Sequence, residues 1–133
     1  MAFVLDASVT ASWFFPDEQL NGAEAWQRSA NEDAVVPLHW WFEIRNTLLF
    51  GERRGRLSQQ QTLVALDRLS RLAIAVAPRP QEADVFALAR RHRLTFYDAT
   101  YLELAVRERL PLATLDHDLA AAAVAQDVEL IGG

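Results

Sequence analysis

The sequence contains no cysteine and no lysine, and its longest apolar runs are short. Without cysteine there can be no disulfide and no thiolate metal site. Without lysine, a phosphate-binding P-loop lacks its essential cation, and Schiff-base chemistry is excluded. A run such as Leu119–Ala125 is far too short to cross a bilayer. No cationic stretch followed by an apolar core opens the chain, so no secretory signal is expected and a cytoplasmic location is the default. All 13 basic residues are arginine, and with 18 acidic residues the net charge is −5. That balance makes a poor non-specific nucleic-acid binder by charge alone.

What the chain does contain is ordinary for one soluble domain spanning residues 1–133: 51% hydrophobic and 23% charged residues. Short apolar stretches near 2–6, 34–37, 73–77, 112–115 and 128–131 read as strands. Helical patterns occupy the regions near 7–15, 20–31, 38–54, 59–72, 81–93, 98–109 and 117–126. Ser58 and Gln61 stand at capping-box spacing, and Leu63, Leu66 and Leu69 mark one apolar stripe after them. No repeat or linker interrupts the alternation. An α/β fold follows, with a mostly parallel sheet and helices on both faces.

In such folds the helix N-termini gather at the carboxyl edge of the strands, where ligands bind. Asp6 ends the run "AFVL" and opens a helix; Asp116 does the same after "PLATL". Asp98 is expected to begin the helix in "LTFYDATYLELAVRERL", and Glu43 lies one turn and a half into the helix after Pro37, roughly 7 Å along its axis. Taken singly, each aspartate could be only an N-cap, worth about 1 kcal/mol, and Glu43 could be a solvated helix residue. Together they are costly, because two carboxylates 4 Å apart repel by about 4 kcal/mol at an effective dielectric of 20. An all-oxygen cluster suits Mg²⁺ or Mn²⁺, and its commonest chemistry is metal-assisted phosphodiester hydrolysis.

The segments "FVLDASV", "FEIRNTL", "YDATYLELA" and "LATLDHDLA" resemble, in that order and spacing, a PIN domain of the VapC type, the toxin of a toxin–antitoxin pair. The resemblance implies a five-stranded sheet of order 3-2-1-4-5 and a Mg²⁺-dependent endoribonuclease, with Mn²⁺ as a substitute. It maps an acidic quartet onto Asp6, Glu43, Asp98 and Asp116, with Ser8 and Thr114 as supporting hydroxyls and Asp118 as a further carboxylate beside Asp116. It also implies RNA as substrate, a small VapB-like antitoxin as partner, and a homodimer.

Arg53, Arg54 and Arg56 in "GERRGR", and Arg90, Arg91 and Arg93 in "ARRHRL", are candidates for phosphate contact or for simple helix-dipole neutralisation. His39 and His117 flank the acidic residues and could carry a proton, but a surface or structural role is the preferred reading for both, since a metal can generate the nucleophile without them. Trp13, Phe14, Phe15, Trp40 and Trp41 divide between core packing and an interface. Alternatives are a von Willebrand factor A-like adhesion module, from Asp6, Ser8 and Thr10 in "DASVT", and a PIN nuclease of RNA processing or a metal-free PIN-like interaction protein. A haloacid-dehalogenase-type phosphatase fails because Ser8 stands where its second aspartate belongs.

Overall fold

The computed structural model describes residues 1–132. Five short strands, β1 (Ala2–Leu5), β2 (Asp33–Val36), β3 (Ile74–Val76), β4 (Leu112–Ala113) and β5 (Leu130–Ile131), form one sheet in the order β3-β2-β1-β4-β5. Every pairing is parallel; Val4 stands opposite Val35 on one side and Leu112 on the other. The helices are α1 (Ala7–Ser12), α2 (Ala23–Arg28), α3 (Leu38–Arg53), α4 (Gln59–Ser70), α5 (Glu82–His92), α6 (Phe96–Glu108) and α7 (His117–Ala125). Consecutive residues Phe3, Val4 and Leu5 are wholly buried, so helices cover both faces of the central strand.

The chain runs outward from β1 through β2 to β3, then crosses back to β4 on the other side of β1. The reversal lies between β1 and β4, and the carboxyl ends of those two strands open a crevice there. Asp6 follows β1 and Thr114 follows β4, so both stand at its mouth.

Several element boundaries differ from the sequence reading. The first helix ends at Ser12 instead of near residue 15, because Pro16 disfavours helical backbone at Phe15. The region 20–31 divides into a 3₁₀ turn, Gln19–Gly22, and α2. The Gly22 carbonyl accepts the Trp13 indole N–H there, and a Cβ on Gly22 would lie 2.3 Å from Ser12 Oγ. The most consequential difference is at α6, which starts at Phe96 with Thr95 as its N-cap. Asp98 therefore sits inside the first turn, its backbone amide donating to Thr95 Oγ1 at 3.1 Å, and its carboxylate is not spent on capping. The Ser58–Gln61 capping box of α4 is formed as expected.

Of the aromatic residues near the N-terminal helices, Trp13, Phe15 and Trp40 belong to the core, and Trp41 is exposed. No helix among the described residues is long and apolar enough to cross a membrane.

Candidate active site

Asp6 is 4% exposed, and its two oxygens are almost fully committed. Oδ1 accepts from Ser8 Oγ at 2.7 Å and from the Val9 backbone amide at 3.0 Å; Oδ2 accepts a short hydrogen bond from Thr114 Oγ1. The cap reading and the site reading of Asp6 are thus both true, since the Val9 contact is the N-cap of α1. Burial nevertheless dominates: it pushes the Asp6 carboxyl up from 3.8 to about 6, against the pull of Thr114, Val9 and Ser8, with the charge of Asp98 adding to the rise. Below Asp6, its backbone carbonyl accepts from Thr10 Oγ1 at 2.8 Å, and that oxygen in turn accepts from the Trp40 indole N–H at 2.9 Å. This buried relay ties the end of β1 to α3, one turn before Glu43.

The β4–α7 side is laced to the same carboxylate. Ser8 Oγ accepts from the Leu115 amide at 2.9 Å, and Thr114 Oγ1 accepts from the Asp116 amide at 3.0 Å. Asp116 caps α7 through Leu119 N–H at 2.8 Å and is only half-buried. Ser8 and Thr114 are therefore the joints between Asp6 and the Asp116 loop.

Glu43 projects from α3 and accepts from the Tyr101 hydroxyl of α6 at 2.6 Å. Burial raises the Glu43 carboxyl above its usual range, with Tyr101 opposing the rise. Asp98, one turn before Tyr101 on the same helix, is raised chiefly by burial and then by the charges of Asp116 and Glu43. Asp98 thus feels two other members of the quartet and also acts on Asp6. Mutual repulsion with little local cation is what a hard divalent ion would relieve. The all-oxygen donor set fits such an ion. Among the described residues no three carboxylates or histidines stand close enough to form a ready-made metal cage. The geometry is that of an open acidic cleft.

The remaining candidates are less engaged. Asp118 and His117 are exposed in the first turn of α7. Arg45 stacks on Trp41, its guanidinium 4.2 Å from the ring centroid, and its Nη1 donates to the Trp41 carbonyl at 3.3 Å. Arg56 pairs with Asp17 and Glu18 and stacks on Phe15. Arg90 lies over Phe86.

Two residues outside the acidic quartet carry weight. Tyr101 was visible only as part of "YDATYLELA", although its i+3 spacing from Asp98 put both on one helix face. His39 packs edge-on against Tyr101, with ring centroids 4.9 Å apart, and its Nε2 lies 3.3 Å from Glu43 Oε1. The alignment falls outside hydrogen-bond geometry, which leaves that buried nitrogen without a partner among the described residues. Burial lowers the His39 pKa, which favours the neutral ring.

Residues 3–125 match the family model described as PIN domain. The chain belongs to the PIN-domain family. Over 123 residues this PIN domain is 34% identical to Ribonuclease VapC3 of Pyrobaculum aerophilum, covering 90% of this chain and 93% of the relative. Among solved structures it superposes on PAE2754 from the same organism with a TM-score of 0.70 at 26% identity, covering 92% of this chain and 87% of that one. It also superposes on a chain of a toxin–antitoxin complex from Klebsiella pneumoniae, with a TM-score of 0.61, 20% identity, and 89% and 90% of the chains covered; that likeness is one of fold. The adhesion-module alternative gives Glu43 and Asp98 no reason to approach, whereas here the charge of one acts on the other.

Proposed function

We propose that this PIN domain is a Mg²⁺- or Mn²⁺-dependent endoribonuclease that acts in the cytoplasm as the toxin of a VapBC-type pair. What supports the reading most is that Asp98 is electrostatically linked to Asp6, Glu43 and Asp116, carboxylates carried by separate elements around the β1/β4 reversal. Similarity along most of its length to a protein named Ribonuclease VapC3 supports RNA as the substrate. The fold shared with a toxin–antitoxin complex is consistent with an antitoxin partner.

In this reading Asp6, Glu43, Asp98 and Asp116 hold the cation. When bound, it supplies Lewis-acid charge for the phosphate and a water of lowered pKa. Ser8 and Thr114 keep the Asp6 oxygens in place by donating to them. Asp118, exposed at the rim, is assigned a water-mediated part. Beside the cleft, a groove of about 430 Å³ is lined by Leu38, Phe42, Val76, Phe96 and Tyr97, all substantially exposed. Clustered apolar side chains of this kind mark association surfaces, which supports a homodimer or a seated antitoxin.

Incubation of a cellular RNA pool with the purified protein in Mg²⁺, Mn²⁺ or EDTA tests the activity. Cleavage is expected with either ion and none with EDTA. Asp6→Ala and Asp98→Ala should each retain the fold by circular dichroism and lose at least on the order of 10²-fold in rate. Cleavage in EDTA, or full activity of Asp98→Ala, would refute the assignment. Growth arrest on expression, abolished by Asp6→Ala, tests the toxin role separately.

A further inference from the structure

The Tyr101 hydroxyl occupies an unusual place in this cleft. Its ring is buried in the core at 1% exposure, yet its oxygen reaches the site and donates to Glu43 Oε1 at 2.6 Å across 58 residues of sequence. The same oxygen feels the charge of Asp6 as well as that of Glu43, and the backbone of Ala7, the residue after Asp6, opposes the rise of its pKa. Tyr101 itself belongs to α6, one turn beyond Asp98. A single phenol thus bonds the side chain of Glu43, feels the charge of Asp6 and shares a helix with Asp98. Burial beside two carboxylates drives its pKa far up, so it stays a neutral donor across the working range.

We infer that Tyr101 is the positioning residue of the cleft: its hydroxyl holds Glu43 at a fixed separation from Asp6 and Asp98, which sets the spacing of the carboxylates for a divalent ion. The His39 ring, seated between Tyr97 and Tyr101 at centroid distances of 5.4 and 4.9 Å, backs the Tyr101 ring and fills the space behind Glu43. Carboxylate ligands depend on such outer partners for their orientation, and losing one typically weakens a metal site by about 10- to 100-fold. A tyrosine serving only as core filler would be replaced by phenylalanine at no cost to ion binding, because the ring and its packing remain.

This rests on the metal-site reading above, and the test separates the two. Mn²⁺ affinity is measured by electron paramagnetic resonance on the whole protein, for wild type, Tyr101→Phe, Glu43→Gln, the double variant and Asp98→Asn. Tyr101→Phe is expected to bind Mn²⁺ about 10-fold more weakly, to recover RNA cleavage as Mn²⁺ is raised, and to add nothing in the Glu43→Gln background. Unchanged affinity in Tyr101→Phe alongside a large loss in Asp98→Asn overturns the positioning role but leaves the metal site standing. No Mn²⁺ binding by wild type, or unchanged binding in Asp98→Asn, removes the metal site itself. Should Tyr101→Phe fail to fold, ¹³Cζ-tyrosine labelling of wild type serves instead, since the chain has only two tyrosines. The Tyr101 resonance is expected to move on Mg²⁺ addition and to stay fixed in Glu43→Gln; an unmoved Tyr101 resonance in wild type that binds Mg²⁺ overturns the role.

Discussion

The two sides of the cleft hold their carboxylates by different means. On the β1/β4 side, Asp6 is buried and receives hydrogen bonds from two hydroxyls and a backbone amide, donors fixed by the loops themselves. On the α3/α6 side, among the described residues, Glu43 has one neutral phenol as donor and Asp98 has no side-chain donor beyond the turn it sits in. Asp6 is therefore held in place whether or not a cation is present, at the cost of burying a charge. Asp98 and Glu43 are half-buried, Glu43 held by the single Tyr101 bond and Asp98 placed by the first turn of α6. A side with many donors thus faces one that relies on the single Tyr101 bond, and an ion that keeps part of its water shell suits such a cleft.

The largest effect expected from this difference concerns the charge buried on the β1/β4 side. Folded Asp6 keeps its proton up to about pH 6, whereas the unfolded carboxyl releases it near 3.8. Between those values the folded state binds more protons, so raising the pH through that window lowers the stability of the metal-free protein. The loss amounts to about 3 kcal/mol once pH passes 6, and nothing is lost below about pH 4. Asp6→Asn removes the charge and should be more stable than metal-free wild type at pH 7 by up to about 3 kcal/mol, with the gap closing toward pH 4. Urea titrations of both proteins across pH 4–8 in EDTA measure it. A constant gap over that range would mean that Asp6 is not a buried, strained charge. Mg²⁺ should raise the stability of wild type and leave Asp6→Asn nearly unchanged.

A second measure compares the donors. Thr114→Val keeps the volume but removes the hydroxyl that bonds Asp6 Oδ2 and accepts from Asp116 N–H. The divalent-ion affinity is expected to fall about 10-fold, because both Asp6 and the Asp116 loop lose their common joint. Isothermal titration with Mn²⁺ reads it. An equal loss in Thr114→Ser, which restores the hydroxyl, would assign the effect to packing instead.

Much of this arrangement was legible in the chain. Apolar runs cut short by Asp6 and Asp116 marked strand ends and caps together, and Pro37 with a long helical pattern placed Glu43 near the same edge. The strand order came from the resemblance carried by the four motifs. What escaped was decided at long range or by a competing local rule. Thr95 and Asp98 stand three residues apart, as a cap and its N3 partner do, so Thr95 was the better helix start, yet Asp98 drew the assignment because aspartate is itself a favoured cap. The Tyr101–Glu43 bond joins residues 58 apart and leaves no periodic trace. Residue Trp40 read as one more aromatic, although its N–H supports the relay under Asp6.

The smallest effect separates position from stability most cleanly. Thr95 and Ser58 perform the same local task, each capping a helix by accepting from the amide three residues on, at 3.1 Å in both cases. Removing either hydroxyl with alanine should cost about 1 kcal/mol, a few degrees in Tm. The amide released by Thr95→Ala, however, is that of Asp98, in the first turn of the helix that also carries Tyr101, whereas Ser58 caps a helix whose first turn bears no carboxylate. Equal losses of thermal stability should therefore accompany unequal losses of function. Thr95→Ala is expected to weaken Mn²⁺ binding a few-fold and Ser58→Ala to leave it unchanged, read by the same titration on both. If the two variants were to behave alike in ion binding, the Thr95 cap would play no part in placing Asp98, because the first turn of α6 would then hold it without its cap.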